Sequence, residues 1–187
     1  MELSSHDKKK LISLAHFSIE SGFRPNHESE LLEEQSEVLK SKSGAFVTIT
    51  IDNKLRGCIG YVQPEDELSK TVMDAAYQAA FHDPRFSPLT EEDFNRINLE
   101  ISILSEAVPL ENYEEIEVGK HGLILEESGR KALLLPQVPI EHKMNRDEFL
   151  SALCNKAGLY EDLWKEKKIN IKGFIATVFS ENDEDLK

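Results

Sequence analysis

The chain is poor in the features that would place it outside the cell or in a membrane. Of its 187 residues only Cys58 and Cys154 are cysteines, too few for a disulfide framework. It has no Asn-x-Ser/Thr acceptor, and no apolar run approaches the ~20 residues that cross a bilayer. The stretch Leu11-Ile12-Ser13-Leu14-Ala15-His16 after the Lys-rich start is too short and interrupted for a secretory segment, and it lacks a small-residue cleavage site. These absences predict a cytoplasmic protein without a membrane role. Basic residues are also scarce: 22 Lys and Arg stand against 35 Asp and Glu, a formal charge of -13. Such a balance keeps a protein soluble and disfavours nucleic acid and anionic membranes. The basic clusters Lys8-Lys9-Lys10 and 165–168 contain or adjoin acidic residues and read as solvated helix faces. There is no Cys-x-x-Cys, His-Glu-x-x-His or carboxylate-rich calcium loop, so no built-in metal site is expected. Without a glycine-rich phosphate loop or a nucleophile elbow, no cofactor can be assigned.

What is present suits one compact domain or two tightly fused subdomains. Ser4 and Asp7 are spaced as a capping box for a helix from about Ser5 to Glu20, with Gly22 as its stop. The polar stretch 26–42 reads as a loop carrying a short helix or turn. Residues 44–51 and 55–62 alternate as two strands around Asp52-Asn53-Lys54, a hairpin. An alanine-rich helix follows from Leu68 to Phe81, ended by His82-Asp83-Pro84. Thr90 and Asp93 cap another short helix, and Leu99 to Leu104 is a strand with Glu100 and Ser102 on one face. The second half replays this order: a strand from Gly122, a turn at Ser128-Gly129-Arg130, a strand over 132–138, a Pro-containing loop, and a helix from about Arg146 to Ala157 stopped by Gly158. Aligning Lys54 with Lys131 sets 44–82 against 121–158 as a weak internal repeat. A last strand spans 169–179, and an acidic tail over 181–187 is expected to fray. Hairpins interspersed with helices point to the α+β class.

The densest chemistry lies in Leu55-Arg56-Gly57-Cys58-Ile59-Gly60. Two glycines straddling a cysteine in a strand signal a bulge or a close approach by another backbone or a ligand. Strict alternation puts Arg56 and Cys58 on one face, a cation beside a sulfur, which favours a thiolate. The plainer alternative is Cys58 as a small buried hydrophobe and Arg56 paired to a structural carboxylate. His82 and His121 are the candidate bases for Cys58, and each also reads as a surface or capping histidine. Arg56, Arg85 and Glu100 form a second constellation, with Arg56 paired to Glu100 across neighbouring strands and Arg85 facing a cleft. An arginine left unpaired there would accept an anionic ligand. If both are paired internally, the block is a structural network.

The hexapeptide, with Asp83-Pro84-Arg85-Phe86-Ser87-Pro88-Leu89, Glu100-Ile101-Ser102-Ile103-Leu104-Ser105, Leu134-Leu135-Pro136-Gln137-Val138 and Lys156-Ala157-Gly158-Leu159, resembles the AMMECR-type domain family in order from about Phe17 to Glu181. The resemblance implies an α+β fold with a barrel-like, mixed or antiparallel sheet flanked by helices, built from two related βα halves, a larger and a smaller subdomain. It implies no established activity. It also implies partners, since such domains occur fused to or encoded near Memo-like and radical-SAM proteins. His142-Lys143-Met144 departs from the pattern, because relatives commonly place a Trp before the helix. The functional expectation is a cleft lined by Arg56, Gly57, Cys58, Gly60, His82, Arg85, Glu100 and His121 that binds a small anionic ligand, with Cys58 and His82 open to thiol-based catalysis. A non-catalytic adaptor that docks a Memo-like or radical-SAM partner is the alternative.

Overall fold

The computed structural model describes residues 3–24 and 36–186, in two compact units. Unit 1 comprises 1–103 with 177–187, and unit 2 comprises 104–176. Most of the polar 26–42 stretch lies outside the described residues. Its end forms the short helix α2, Glu37–Lys40. Among the described residues, no helix is long and apolar enough to cross a membrane.

Unit 1 begins with α1, Ser5–Ser21, whose start is the expected capping box. Ser4 Oγ accepts the Asp7 N–H at 3.2 Å, and Asp7 Oδ2 accepts the Ser4 N–H at 3.0 Å. The buried Asp7 carboxylate also takes the Ser36 hydroxyl at 2.6 Å. Burial pushes this carboxyl up, but the hydrogen bonds from Ser36 and Ser4 outweigh it, and the balance lies below the ordinary value. Strands β1 (Ala45–Ile51) and β2 (Lys54–Tyr61) pair antiparallel. Asp52 and Asn53 join them with φ of 51° and 60°, the left-handed pair of a two-residue turn that matches strand twist. Strand β3, Ile97–Leu104, lies antiparallel on the other side of β1. One face of this sheet carries Ala45, Val47, Ile49, Leu99, Ile101 and Ile103, which form a core with Leu11, Ile19 and the Val72, Ala75, Ala76, Ala79 stripe of α3, Leu68–Phe81. The small residues of α3 let its backbone come close to the sheet, closest at Gly57. A Cβ there would sit 2.1 Å from the Ala79 carbonyl oxygen. What approaches this glycine is thus a second backbone rather than a ligand. Gly60 likewise lies under the Phe46 ring of its cross-strand partner.

A short helix α4, Glu91–Phe94, has the capping box expected of Thr90 and Asp93. The last strand, β7 (Ile171–Ser180), ends in unit 1 beside β3. The tail beyond it differs from expectation. Glu181 accepts the Leu99 N–H at 2.6 Å and bonds His16 Nε2 at 2.9 Å, and Leu186 packs on the core. The acidic segment is held because its first carboxylate finds two partners and its one leucine finds apolar cover.

Unit 2 is built from β4 (Val108–Pro109), β5 (His121–Glu127), β6 (Arg130–Leu134) and the first half of β7, again with antiparallel pairings. Ser128 and Gly129, at φ 53° and 74°, make the same kind of turn as Asp52-Asn53. The strand predicted to reach Val138 stops at Leu134, and Gln137–Glu141 is a short helix, α5. Helix α6, Arg146–Lys156, packs Phe149, Leu150, Leu153 and Cys154 against Leu123, Leu125 and Ile171. Gly158 follows at φ 68°, where a side chain would strike the Arg130 guanidinium that holds the carbonyls of Ala157 and Gly158. A last short helix, α7, spans Leu163–Glu166. The α+β class predicted from the sequence holds in both units.

Replacing Gly57 by Ala drives a methyl into the α3 backbone, which has no flexible end to yield. The expected loss is about 2–4 kcal/mol, measured as a lower urea midpoint with an unchanged slope. A Gly57→Ala variant as stable as the parent would show that strand and helix are not in backbone contact.

Candidate functional site

The signature hexapeptide sits on the edge strand of unit 1, with β1 on one side only. Its register slips by one residue: Ile49 faces Gly57 while Thr50 faces Leu55, leaving Arg56 as the extra residue of a bulge. The bulge re-aims Arg56. Its Nη1 and Nη2 donate to the carbonyls of Ser87 and Pro88 at 2.6 and 3.2 Å, and Nη2 lies 3.6 Å from Asp93. The Arg56 side chain is 19 % exposed, a clamp on the following loop. Asp93, held below the usual carboxylate range by Thr90 first and Arg56 to a lesser degree, serves the same join. Among the described residues no Arg56–Glu100 ion pair is seen; β1 stands between β2 and β3, and Arg56 turns to the loop instead.

Farther along β2, the outward N–H and C=O of Cys58 have no neighbouring strand. Two side chains of the loop 83–89 take that strand's place. The Asp83 side chain is 2 % exposed, and its Oδ2 accepts the Cys58 N–H at 2.9 Å and Arg85 Nη2 at 2.7 Å. Its Oδ1 accepts the backbone N–H and Nε of Arg85 at 3.1 and 3.0 Å. Arg85 Nη2 completes the ring by donating to the Cys58 carbonyl at 3.1 Å. Four donors on one buried carboxylate hold its pKa far below the ordinary value, Arg85 contributing most, against the opposing pull of burial. Arg85 is raised in return, first by Asp83, with the Cys58 side chain adding a smaller share. The Arg85 side chain is nonetheless 54 % exposed. No hydrogen bond among the described residues uses its Nη1.

The Cys58 sulfur has a third neighbour. Thr48 lies opposite Cys58 on β1, and its hydroxyl donates to Sγ at 3.4 Å. Outward bonding of the Cys58 backbone makes this a non-hydrogen-bonded cross-strand pair, the kind whose side chains come closest. Thr48 also faces Glu100 on β3, so Cys58, Thr48 and Glu100 form one row across the sheet, on the face opposite the α1–α3 core. Cys58 is partly exposed, whereas Cys154 is buried in the unit 2 core, where burial pushes its thiol up.

The two histidines take other places. His82 ends α3 through its backbone N–H on the Gln78 carbonyl, its ring exposed and 5.7 Å from that of Tyr77, with no hydrogen bond to Cys58 among the described residues. His121 belongs to unit 2, where Nδ1 accepts the Glu117 N–H at 3.1 Å in a tight turn. The structure therefore brings together Cys58, Arg85 and the two residues that sequence reasoning did not single out, Thr48 and Asp83. Thr48 was findable from the hairpin register. Asp83 reads in the sequence as part of the helix stop before Pro84, and its inward turn is a long-range contact. Among the described residues, no group of three or more His, Cys, Asp or Glu is placed to hold a metal ion.

Comparison with known proteins agrees with the motif blocks. The AMMECR1 family model matches residues 12–179. Protein Mbar_A1807 of Methanosarcina barkeri is 40 % identical over 97 % of this chain and 93 % of its own, and a protein of Aquifex aeolicus is 38 % identical over 95 % and 94 %. The crystal structure of the uncharacterized protein PH0010 from Pyrococcus horikoshii superposes with a TM-score of 0.83 at 35 % identity, covering 92 % of this chain and 90 % of that one.

Asp83→Asn tests the carboxylate. Because the folded pKa lies below the unfolded one, Asp83 stabilises fully above about pH 4, and the contribution is lost as pH falls toward the folded value. At pH 7 the variant is expected to be about 2–4 kcal/mol less stable in urea. The gap should narrow below pH 4. A gap unchanged down to pH 2.5 would place the stabilisation elsewhere.

Proposed function

The chain belongs to the AMMECR1 family, and from the geometry of unit 1 we propose that it binds a small anionic ligand at Arg85, beside the Cys58 thiol. The observation that carries this reading is a buried carboxylate spent on aiming a half-exposed guanidinium. Asp83 fixes Nε and Nη2, while the Arg85 side chain as a whole stays 54 % exposed. A planar fork held in this way is suited to carboxylate or phosphoryl oxygens. Both arginines are paired within the protein, Arg56 with the loop carbonyls and Asp93 and Arg85 with Asp83, which is the arrangement of a structural network; the ligand reading therefore rests on the exposure of Arg85 alone, and weak to moderate affinity is expected, with orientation as the main gain. The net charge of -13 does not forbid this, since charges farther than about 8–10 Å are screened at physiological salt. Arg56, committed to two carbonyls and Asp93, supports the loop that carries Arg85. Gly57 and Gly60 keep the strand close to α3 and to Phe46. No general base touches the sulfur among the described residues, so the reading is of a binding site with a partly exposed thiol beside it.

Titration with inorganic phosphate, followed by NMR of the arginine side-chain Nε–H groups, tests the proposal. Saturable shifts at Arg85 and the Cys58 amide are expected, weakened about tenfold or more in Arg85→Met and kept in Cys58→Ser. Absence of saturation, or binding indifferent to Arg85→Met, would overturn it and leave the adaptor reading, with a Memo-like or radical-SAM protein as the partner to capture.

A further inference from the structure

We propose that the anion at Arg85 is the C-terminal carboxylate of an extended peptide, which pairs antiparallel with the open edge of β2 at Gly60. The inference rests on the reading of Arg85 given above and names the chemical class of its ligand. Strand β2 has β1 on one side only. Asp83 and Arg85 take the Cys58 N–H and C=O from the other side. Alternation therefore turns the N–H and C=O of Gly60, two residues on, to that same free edge. The register agrees, since Cys58 faces Thr48 and Gly60 faces Phe46 with no slip between the two rows. Among the described residues, no loop or side chain takes either of the Gly60 groups, and Gly60 is partly exposed. The edge is thus closed at one rung by Asp83 and Arg85 and open at the next, about 7 Å along.

The open rung selects the ligand. It presents one donor and one acceptor at strand spacing, which a peptide unit satisfies together and a bare carboxylate does not. Arg85 sets the direction. In antiparallel pairing the added chain runs from Gly60 toward Cys58 with its C-terminal end leading, and the Asp83–Arg85 pair on the edge stops it after one further residue. Its terminal carboxylate then arrives beside a guanidinium that is half exposed, the charge match that arginine makes best. A parallel chain would bring its ammonium to Arg85 instead, cation against cation. The residue opposite Gly60 is the penultimate one. Its side chain shares a face with Gly60 and with the Phe46 ring drawn over that glycine, so an aliphatic residue suits the position.

The probe is acetyl-Thr-Ser-Val-Ala with a free C-terminus, titrated into the whole chain and followed by NMR of the Gly60 amide and the Arg85 Nε–H. Saturable shifts of both are expected. Two altered peptides take the contacts apart: a C-terminal amide removes the charge, and N-methylation of the valine removes the donor to the Gly60 carbonyl. Each should weaken binding about tenfold or more, as should Arg85→Met, checked for folding by circular dichroism. Hydrogen exchange reads the same rung without any variant. In the free protein the Gly60 amide should exchange faster than that of Ile59, and saturating peptide should slow it about tenfold or more. A Gly60 amide already protected in the free protein overturns the inference, as does equal binding of the acid and amide peptides, or of the methylated peptide and its parent. Phosphate separates the two claims. Phosphate shifts at Arg85 beside a Gly60 amide silent to the peptide remove the strand pairing and leave the anion reading. Silence toward phosphate, beside Gly60 shifts that ignore the terminal charge, removes both.

Discussion

One buried carboxylate, that of Asp83, ties the signature strand to the loop that follows α3. Strand β2 lies at an edge, and an open edge leaves backbone N–H and C=O groups unpaired. Here a side-chain pair fills the role of a missing strand: Asp83 accepts from the Cys58 amide, and Arg85 donates to the Cys58 carbonyl. Arg56 continues the same join two residues earlier, holding the carbonyls of Ser87 and Pro88. The loop is thus laced to the strand at both ends of the hexapeptide's polar half. Removing the carboxylate would leave the Cys58 amide, the Arg85 amide and the Arg85 guanidinium without their shared acceptor, which is why a single residue carries so much of the local order.

The glycines and the cysteine follow from that arrangement. With the loop on the edge of β2 and the end of α3 over its inner face, Gly57 has space for hydrogen alone. Cys58 has its backbone consumed by Asp83 and Arg85, and its side chain turns to the opposite face, beside Thr48. A small side chain suits that position, and a thiol is the small side chain that adds nucleophilic chemistry. The residues that tie the loop to the strand are therefore the same ones proposed to meet the ligand, and the motif does not divide into a scaffold part and a binding part.

Local signals in the sequence reached far. The Ser4–Asp7 and Thr90–Asp93 boxes, the limits of α3, and the Asp52-Asn53 and Ser128-Gly129 turns were legible because each is specified by residues a few positions apart. The hairpin-then-helix order within each unit was legible for the same reason. The site itself was only partly so. Alternation placed Arg56 beside Cys58, and the one-residue bulge reversed that placement; a slip of this kind depends on what lies across the strand, not on the strand's own pattern. Asp83 reads locally as a turn residue before a proline, and its burial comes from a partner 25 positions earlier. The short helix over Gln137–Glu141 hid behind Pro136 and Pro139, since proline is tolerated in a first turn but reads as a breaker. The docking of the tail rests on Leu99 and His16, distant in sequence from Glu181.

A double-mutant cycle between Asp83 and Arg85, using Asp83→Asn, Arg85→Met and the pair, read by urea unfolding at pH 7, addresses the central claim most directly. If the buried carboxylate and the guanidinium act as one element with the edge of β2, the two losses overlap, and a coupling of about 1.5–3 kcal/mol is expected. Losses that add within about 0.5 kcal/mol would show two independent contacts and contradict the account.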